Sequence, residues 1–196
     1  WGNTIEPVTP GLTERPYVAR ELVPFGSEPS IAYQLALDRQ FQEGLYDPDS
    51  LAPLARLISA GDVVLRADLK YERFRTPRPP ITWADLLATP GLGAPQRYGP
   101  STPNVAGPEQ PLVDELALAL PPDIEHPPAV AVFPVDDPLP LVRARVEQDS
   151  MVIAGDAETL VDLASLDLLD PRRLLVFSAT LADQPETLAG LVDGNA

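Results

Sequence analysis

Cysteine is absent from the 196-residue chain, and histidine, lysine and methionine occur once each. Without cysteine there is neither a disulfide framework nor a thiolate metal site. An extracytoplasmic home stays open, because a chain of this size can bury enough surface to fold without staples. No run approaches the roughly 18 consecutive apolar residues of a membrane-spanning helix, and no signal peptide is visible. The chain starts at Trp1 rather than Met, and so reads as a piece of a longer protein. Positive charge is scarce, with 14 basic residues against 29 acidic ones and a net charge of −15. Such a surface repels phosphate backbones, which argues against nucleic acid as a partner.

What is present in excess is proline. Twenty-five prolines make up roughly 13% of the chain, against about 5% in average usage. They cluster at residues 77 to 80, 90 to 111, 121 to 128 and 134 to 140, which predicts a loop-rich middle. A hydrophobic content of 44% still allows a real core. The charge is uneven: residues 1 to 100 are nearly balanced at −2, and residues 101 to 196 carry −13. Against that background, GDVVLRADLKYERFRTPRPP places Arg66, Lys70, Arg73, Arg75 and Arg78 within thirteen residues. Ion pairing with the acidic C-terminal half is the expected role of these charges.

Along the chain, residues 1 to 16 read as an extended lead-in and YVARELV (17 to 23) as a strand stopped by Pro24 and Gly26. Ile31, Leu35, Ala36, Leu37 and Phe41 share a helical face that begins at Ser30 and ends at Gly44. A second helix, capped by Asp49, buries Leu51, Leu54, Leu57 and Ile58 and keeps Pro53 near its first turn, where a missing N–H costs little. VVLRADL (63 to 69) is a strand, and Trp83 to Ala88 a short helix before a turn-rich TPGLGAP. Residues 100 to 127 are a proline-rich loop draped over the fold. AVAVFPV (129 to 135), LVRARV (141 to 146), MVIAG (151 to 155) and RLLVFSATL (173 to 181) read as strands. Thr159 to Leu169 and Pro185 to Val192 read as helices. Strand, helix and strand from 151 to 181 make a βαβ candidate, which predicts parallel pairing. The expectation is one α/β domain over residues 1–196, with a mixed sheet, flanking helices, a C-terminal βαβ-like unit and long proline-rich loops.

Chemistry is thinly signalled. His126, in EHPPAV, reads as an exposed loop residue. No GxSxG, HExxH, P-loop or GxGxxG motif occurs, and no cofactor is expected. In AGDAETL (154 to 160) Asp156 and Glu158 put negative charge where a phosphate would sit, so they read as helix caps. The pairs Asp136/Asp137 and Asp47/Asp49 fit a two-carboxylate glycosidase or a calcium site only weakly, since 29 acids produce such neighbours by chance. For carbohydrate, aromatic faces beside planar polar groups matter. Arg66, Asp68, Tyr71, Arg73, Trp83 and Tyr98 are the candidate glycan-binding set, and the competing reading is that Trp83 and Phe74 anchor a loop to the core.

Taken together, YVARELVPFGS and IAYQLALDRQFQEGLYDPDSLAPLARLISAGDVVLRADLKYERFRTPRP resemble the soluble extracytoplasmic portion of the actinobacterial α-(1→3)-arabinofuranosyltransferases, the arabinofuranosyltransferase D group. MVIAGDAETLVDLASLDLL with LLVFSATL is similar to a second block of that family. The resemblance implies a parent protein that transfers arabinofuranose from a polyprenyl-phosphate donor onto cell-wall arabinan, on the outer face of the plasma membrane. It also implies that the catalytic acid lies in a loop of the transmembrane part, so no catalytic residue carries over to these positions. The implied partners are that transmembrane part and the arabinan glycan. An autonomous carbohydrate-binding module and an acid-pair glycosidase are the alternatives.

Overall fold

A computed structural model describes residues 14–18, 26–69, 71, 76–101, 124–144 and 149–193. Five helices and two small sheets follow one another along them. The helices are α1 (Glu28–Gln42), α2 (Pro48–Leu57), α3 (Pro79–Ala88), α4 (Ala157–Ser165) and α5 (Pro185–Asp193). The strands are β1 (Asp62–Arg66), β2 (Gln96–Ser101), β3 (Pro128–Pro134), β4 (Ser150–Ile153) and β5 (Leu174–Phe177), with a 3₁₀ turn over Ser178–Leu181. The class is mixed α/β. Its strands divide between an antiparallel sheet of order β1-β3-β2 and a parallel pair β4-β5.

The antiparallel sheet is built around β3. Val63 and Leu65 of β1 pair with Phe133 and Ala131, and Arg97 of β2 pairs with Ala131 from the other side. Strand alternation sends Ala131, Phe133 and Val135 inward, where each is nearly inaccessible. Ala131 and Phe133 meet Leu51 of α2 and Trp83 and Leu86 of α3 in one hydrophobic core. The parallel pair matches Ser150 to Leu174 through Ile153 to Phe177, with α4 between its strands in sequence, as a βαβ unit requires. Ile153 packs with Leu160, Val161 and Ala164 of α4, Ala36 of α1 and Leu54 of α2 in a second core. Leu51 and Leu54, one helical turn apart, therefore belong to different cores, and α2 runs between the two.

Several boundaries depart from expectation. The cap of α2 is Asp47, whose Oδ1 accepts from the Asp49 amide at 3.0 Å, with Pro48 in the first turn. Pro53 consequently lies inside the helix, where its missing N–H leaves the Asp49 carbonyl without a helical donor. Strand β2 forms where no strand was expected, between the turn-rich TPGLGAP and the proline-rich loop and running into the start of that loop. Leu141 to Ala144, expected as a strand, has no regular structure; Arg143 instead donates to the carbonyls of Leu57 (2.7 Å) and Pro171 (3.2 Å). It thereby satisfies an end carbonyl of α2, where positive charge is favoured. Beyond Val18, the expected strand at 17 to 23 lies outside the described residues, as do most of the loop at 100 to 127, the lead-in through residue 13, and Arg73, Phe74 and Arg75.

Helix α4 starts with a capping box. Asp156 accepts from the Glu158 amide at 3.0 Å, and Thr159 Oγ1 accepts from the Asp156 amide at 3.3 Å. The carboxylate thus occupies the place an anion would take, and Glu158 pairs with Arg39 of α1. Gly155 precedes the box at φ +135°, and a Cβ there would overlap Thr159 Oγ1.

Candidate functional site

The residues singled out in sequence do not gather into one surface. Arg66 ends β1 and grips Asp68 through both carboxylate oxygens, Nε to Oδ1 at 2.7 Å and Nη2 to Oδ2 at 2.8 Å. That hydrogen bond holds the Asp68 carboxyl below the usual carboxylate range, against the opposing effect of burial. The acid Arg66 grips lies two residues away on the same turn. Among the described residues, pairing between the halves includes Arg39 with Glu158 and Arg97 with Glu125.

Register decides which face each side chain occupies. Arg66 and Tyr98 both pair with Val130, so they flank it on the same, outer face of the antiparallel sheet. Tyr98 is half exposed, and its hydroxyl donates to Gln96 at 2.8 Å. Trp83 lies against the opposite face. It is 1% exposed, with Phe133 tilted against its ring at 5.6 Å between centroids and the Arg97 guanidinium 4.8 Å above it. No ring face of Trp83 is open to a sugar. Tyr71 accepts from Arg78 Nη1 at 3.0 Å, with the guanidinium 5.8 Å from its ring centre. Arg73 lies outside the described residues. His126 stands in the irregular segment before β3, half-buried rather than exposed, and its Nδ1 is buried without a hydrogen-bond partner.

A concavity lies elsewhere. A pocket of about 370 Å³ opens between α2, the loop after β3 and the loop between α4 and β5. Pro53, Leu139, Leu169 and Pro171 give it apolar walls, and Arg56, Asp137, Asp167, Asp170 and Arg172 give it charge. Arg56 is fixed there by Nε donating to the Asp136 carbonyl at 2.7 Å. Gly91 makes room for it, at φ +79°, since a Cβ would stand 2.9 Å from both Arg56 Nη2 and Ala52 Cβ. Asp170 Oδ1 accepts from the Arg172 amide at 2.9 Å and shapes the opposite wall. Its residues run from 53 to 172, and no local pattern connects them. Among the described residues no group of three or more His, Asp or Glu is placed to hold a metal ion.

The described residues form a mixed α/β unit with an exposed tyrosine on its antiparallel sheet and a pocket of mixed charge. Its kinship is specific. Residues 1–194 match the family model described as alpha-(1->3)-arabinofuranosyltransferase, N-terminal GT-C domain. The chain belongs to that family. No curated protein and no solved structure matches it.

Proposed function

We propose that this chain is an extracytoplasmic, non-catalytic part of a membrane arabinofuranosyltransferase, and that it positions the growing cell-wall arabinan for transfer by the membrane-embedded part of the same parent. The observation that carries the arabinofuranosyltransferase part of this reading is the family match over residues 1–194. Two further features support it. No described helix is long and apolar enough to cross a membrane. The carboxylates with an evident task are spent on structure: Asp47 and Asp156 cap helices, Asp68 holds Arg66, and Glu158 holds Arg39.

The test is the full-length parent in membranes, assayed with a polyprenyl-phosphoryl arabinose donor and an arabinan acceptor. Replacing the acids of this chain one at a time with the neutral amide is expected to leave kcat within about twofold. Where the acid touches acceptor, KM rises, the pattern of lost uniform binding. Loss of kcat by orders of magnitude from any one of these changes, with folding intact, would put catalysis inside this chain and overturn the reading.

A further inference from the structure

We propose that the pocket between α2, the loop after β3 and the loop between α4 and β5 binds a neutral, hydroxyl-rich ligand, with Asp137, Asp167 and Arg172 making the polar contacts. That the ligand is a glycan rests on the acceptor-positioning reading; the site itself rests on geometry.

The first argument is where the backbone is strained. Three non-glycine residues among those described adopt positive φ: Ser59 at 61°, Asp137 at 49° and Asp167 at 56°. Two of them line the pocket, and Ser59 holds its wall through Oγ donating to the Pro140 carbonyl at 3.0 Å. Helices α1, α2 and α4 all end in the same left-handed turn. After α4 the Asp167 amide reaches the Ala164 carbonyl at 3.1 Å and the Leu168 amide the Leu163 carbonyl at 2.8 Å. Matching bonds close α1 at Gly44 and α2 at Ser59. Glycine is the residue that turn favours. It stands at 44, away from the pocket, and is replaced at 59 and 167, beside it. Pro53, which interrupts the bonding of α2, lines the same pocket. Locally unfavourable choices gathered around one concavity are the mark of a site retained for something other than stability.

The second argument is chemical. Carboxylates accept from hydroxyls, guanidinium groups donate to them, and the leucine and proline walls suit the C–H surfaces of a sugar ring. The guanidinium of Arg172 is exposed, with no hydrogen bond or ion pair engaging it among the described residues. Three carboxylates against two guanidinium groups disfavour a phosphate. Dispersal of those carboxylates, with no metal-holding cluster among the described residues, disfavours a cation. The volume falls in the range of about 300–1,000 Å³ usual for small-ligand sites.

Amide correlation spectra of the chain, titrated at fixed salt with a linear arabinofuranosyl oligosaccharide and separately with sodium phosphate, test the proposal. The oligosaccharide is expected to move the signals of Leu139, of residues 168 to 170 and of Arg172, and phosphate to leave them in place. Asp167→Gly is expected to bind about tenfold more weakly, the scale of one lost charged hydrogen bond. The same change should melt about 2 °C higher, because glycine relieves the left-handed position. Arg172→Gln should weaken binding similarly with the melting temperature unchanged. Undiminished binding in both variants, with shifts at Arg66 and Tyr98 instead, would sink the pocket and leave acceptor positioning standing. A lower melting point for Asp167→Gly would remove the strain argument, and displacement of the sugar by phosphate would overturn the ligand class. No binding of the oligosaccharide anywhere on the chain removes both proposals.

Discussion

At the scale of single residues, two aspartates respond to acid in opposite senses. Asp68 has its folded pKa lowered by the Arg66 hydrogen bond. Its contribution is present above the unfolded value, about 4, and is lost as pH falls through the lower folded value. Asp85 in α3 has its folded pKa raised by burial. Its ionised form is therefore disfavoured in the folded protein, and that penalty disappears as pH falls through the raised value. Asp85→Asn is expected to stabilise at pH 7, by less than about 1 kcal/mol after solvent screening, and the gain should vanish below about pH 4. Asp68→Asn should destabilise at pH 7 by a similar amount, and the loss should shrink in strong salt because the pair is partly exposed. Chemical denaturation of both variants at pH 7 and pH 3 checks the signs. An Asp85→Asn protein less stable than the parent at pH 7 would contradict the burial argument.

Elements were legible in sequence where one residue pattern sufficed. The apolar stripe of α2, the alternation of β3 and the strand–helix–strand run around α4 each reflect burial on one face. Two elements were not. QRYGPS has no alternation and every residue of it is exposed, so β2 exists because β3 offers it an edge to pair with. LVRARV has strand-like alternation, yet Arg143 reaches two carbonyls that a strand would not bring within range. The pocket was illegible for a related reason: glycine announces a left-handed turn, whereas Ser59 and Asp167 conceal one. The start of α4 was readable from AGDAETL, and it supplies a test. Asp156→Ala should cost about 1 kcal/mol through the lost cap. Gly155→Ala should cost more, because it adds both an overlap with Thr159 and a backbone strain at φ +135°. Thermal melts followed by helical circular dichroism rank the two, and the opposite order would show that the cap matters more than the backbone.

For the whole molecule, the decisive feature is that α2 serves both cores. Leu54 is fully buried in the core with α4, and Leu51 in the core with Trp83 and Phe133. Leu37 of α1 packs against both cores as well. Separate melting of the two halves would have to break a helix that belongs to each. In a Trp1→Phe protein, Trp83 fluorescence reports the antiparallel-sheet core alone, and far-ultraviolet dichroism reports all the helices. The two denaturation curves are expected to coincide. Leu54→Ala, at the other core, should shift both together by about 2–5 kcal/mol. A shift in dichroism that leaves Trp83 fluorescence unmoved would mean two independently folding units.

Strand β2 also bears on how many such chains tolerate one another at close quarters. Its pairing with β3 breaks between Tyr98 and Ser101, and Pro100 offers no N–H along that stretch. An open strand edge ordinarily templates the strand of another molecule, the first step toward aggregates. Here the edge is short, kinked and one donor short, and among the described residues no strand pairs beyond β2. A surface crowded with copies of this chain meets no ready template along β2.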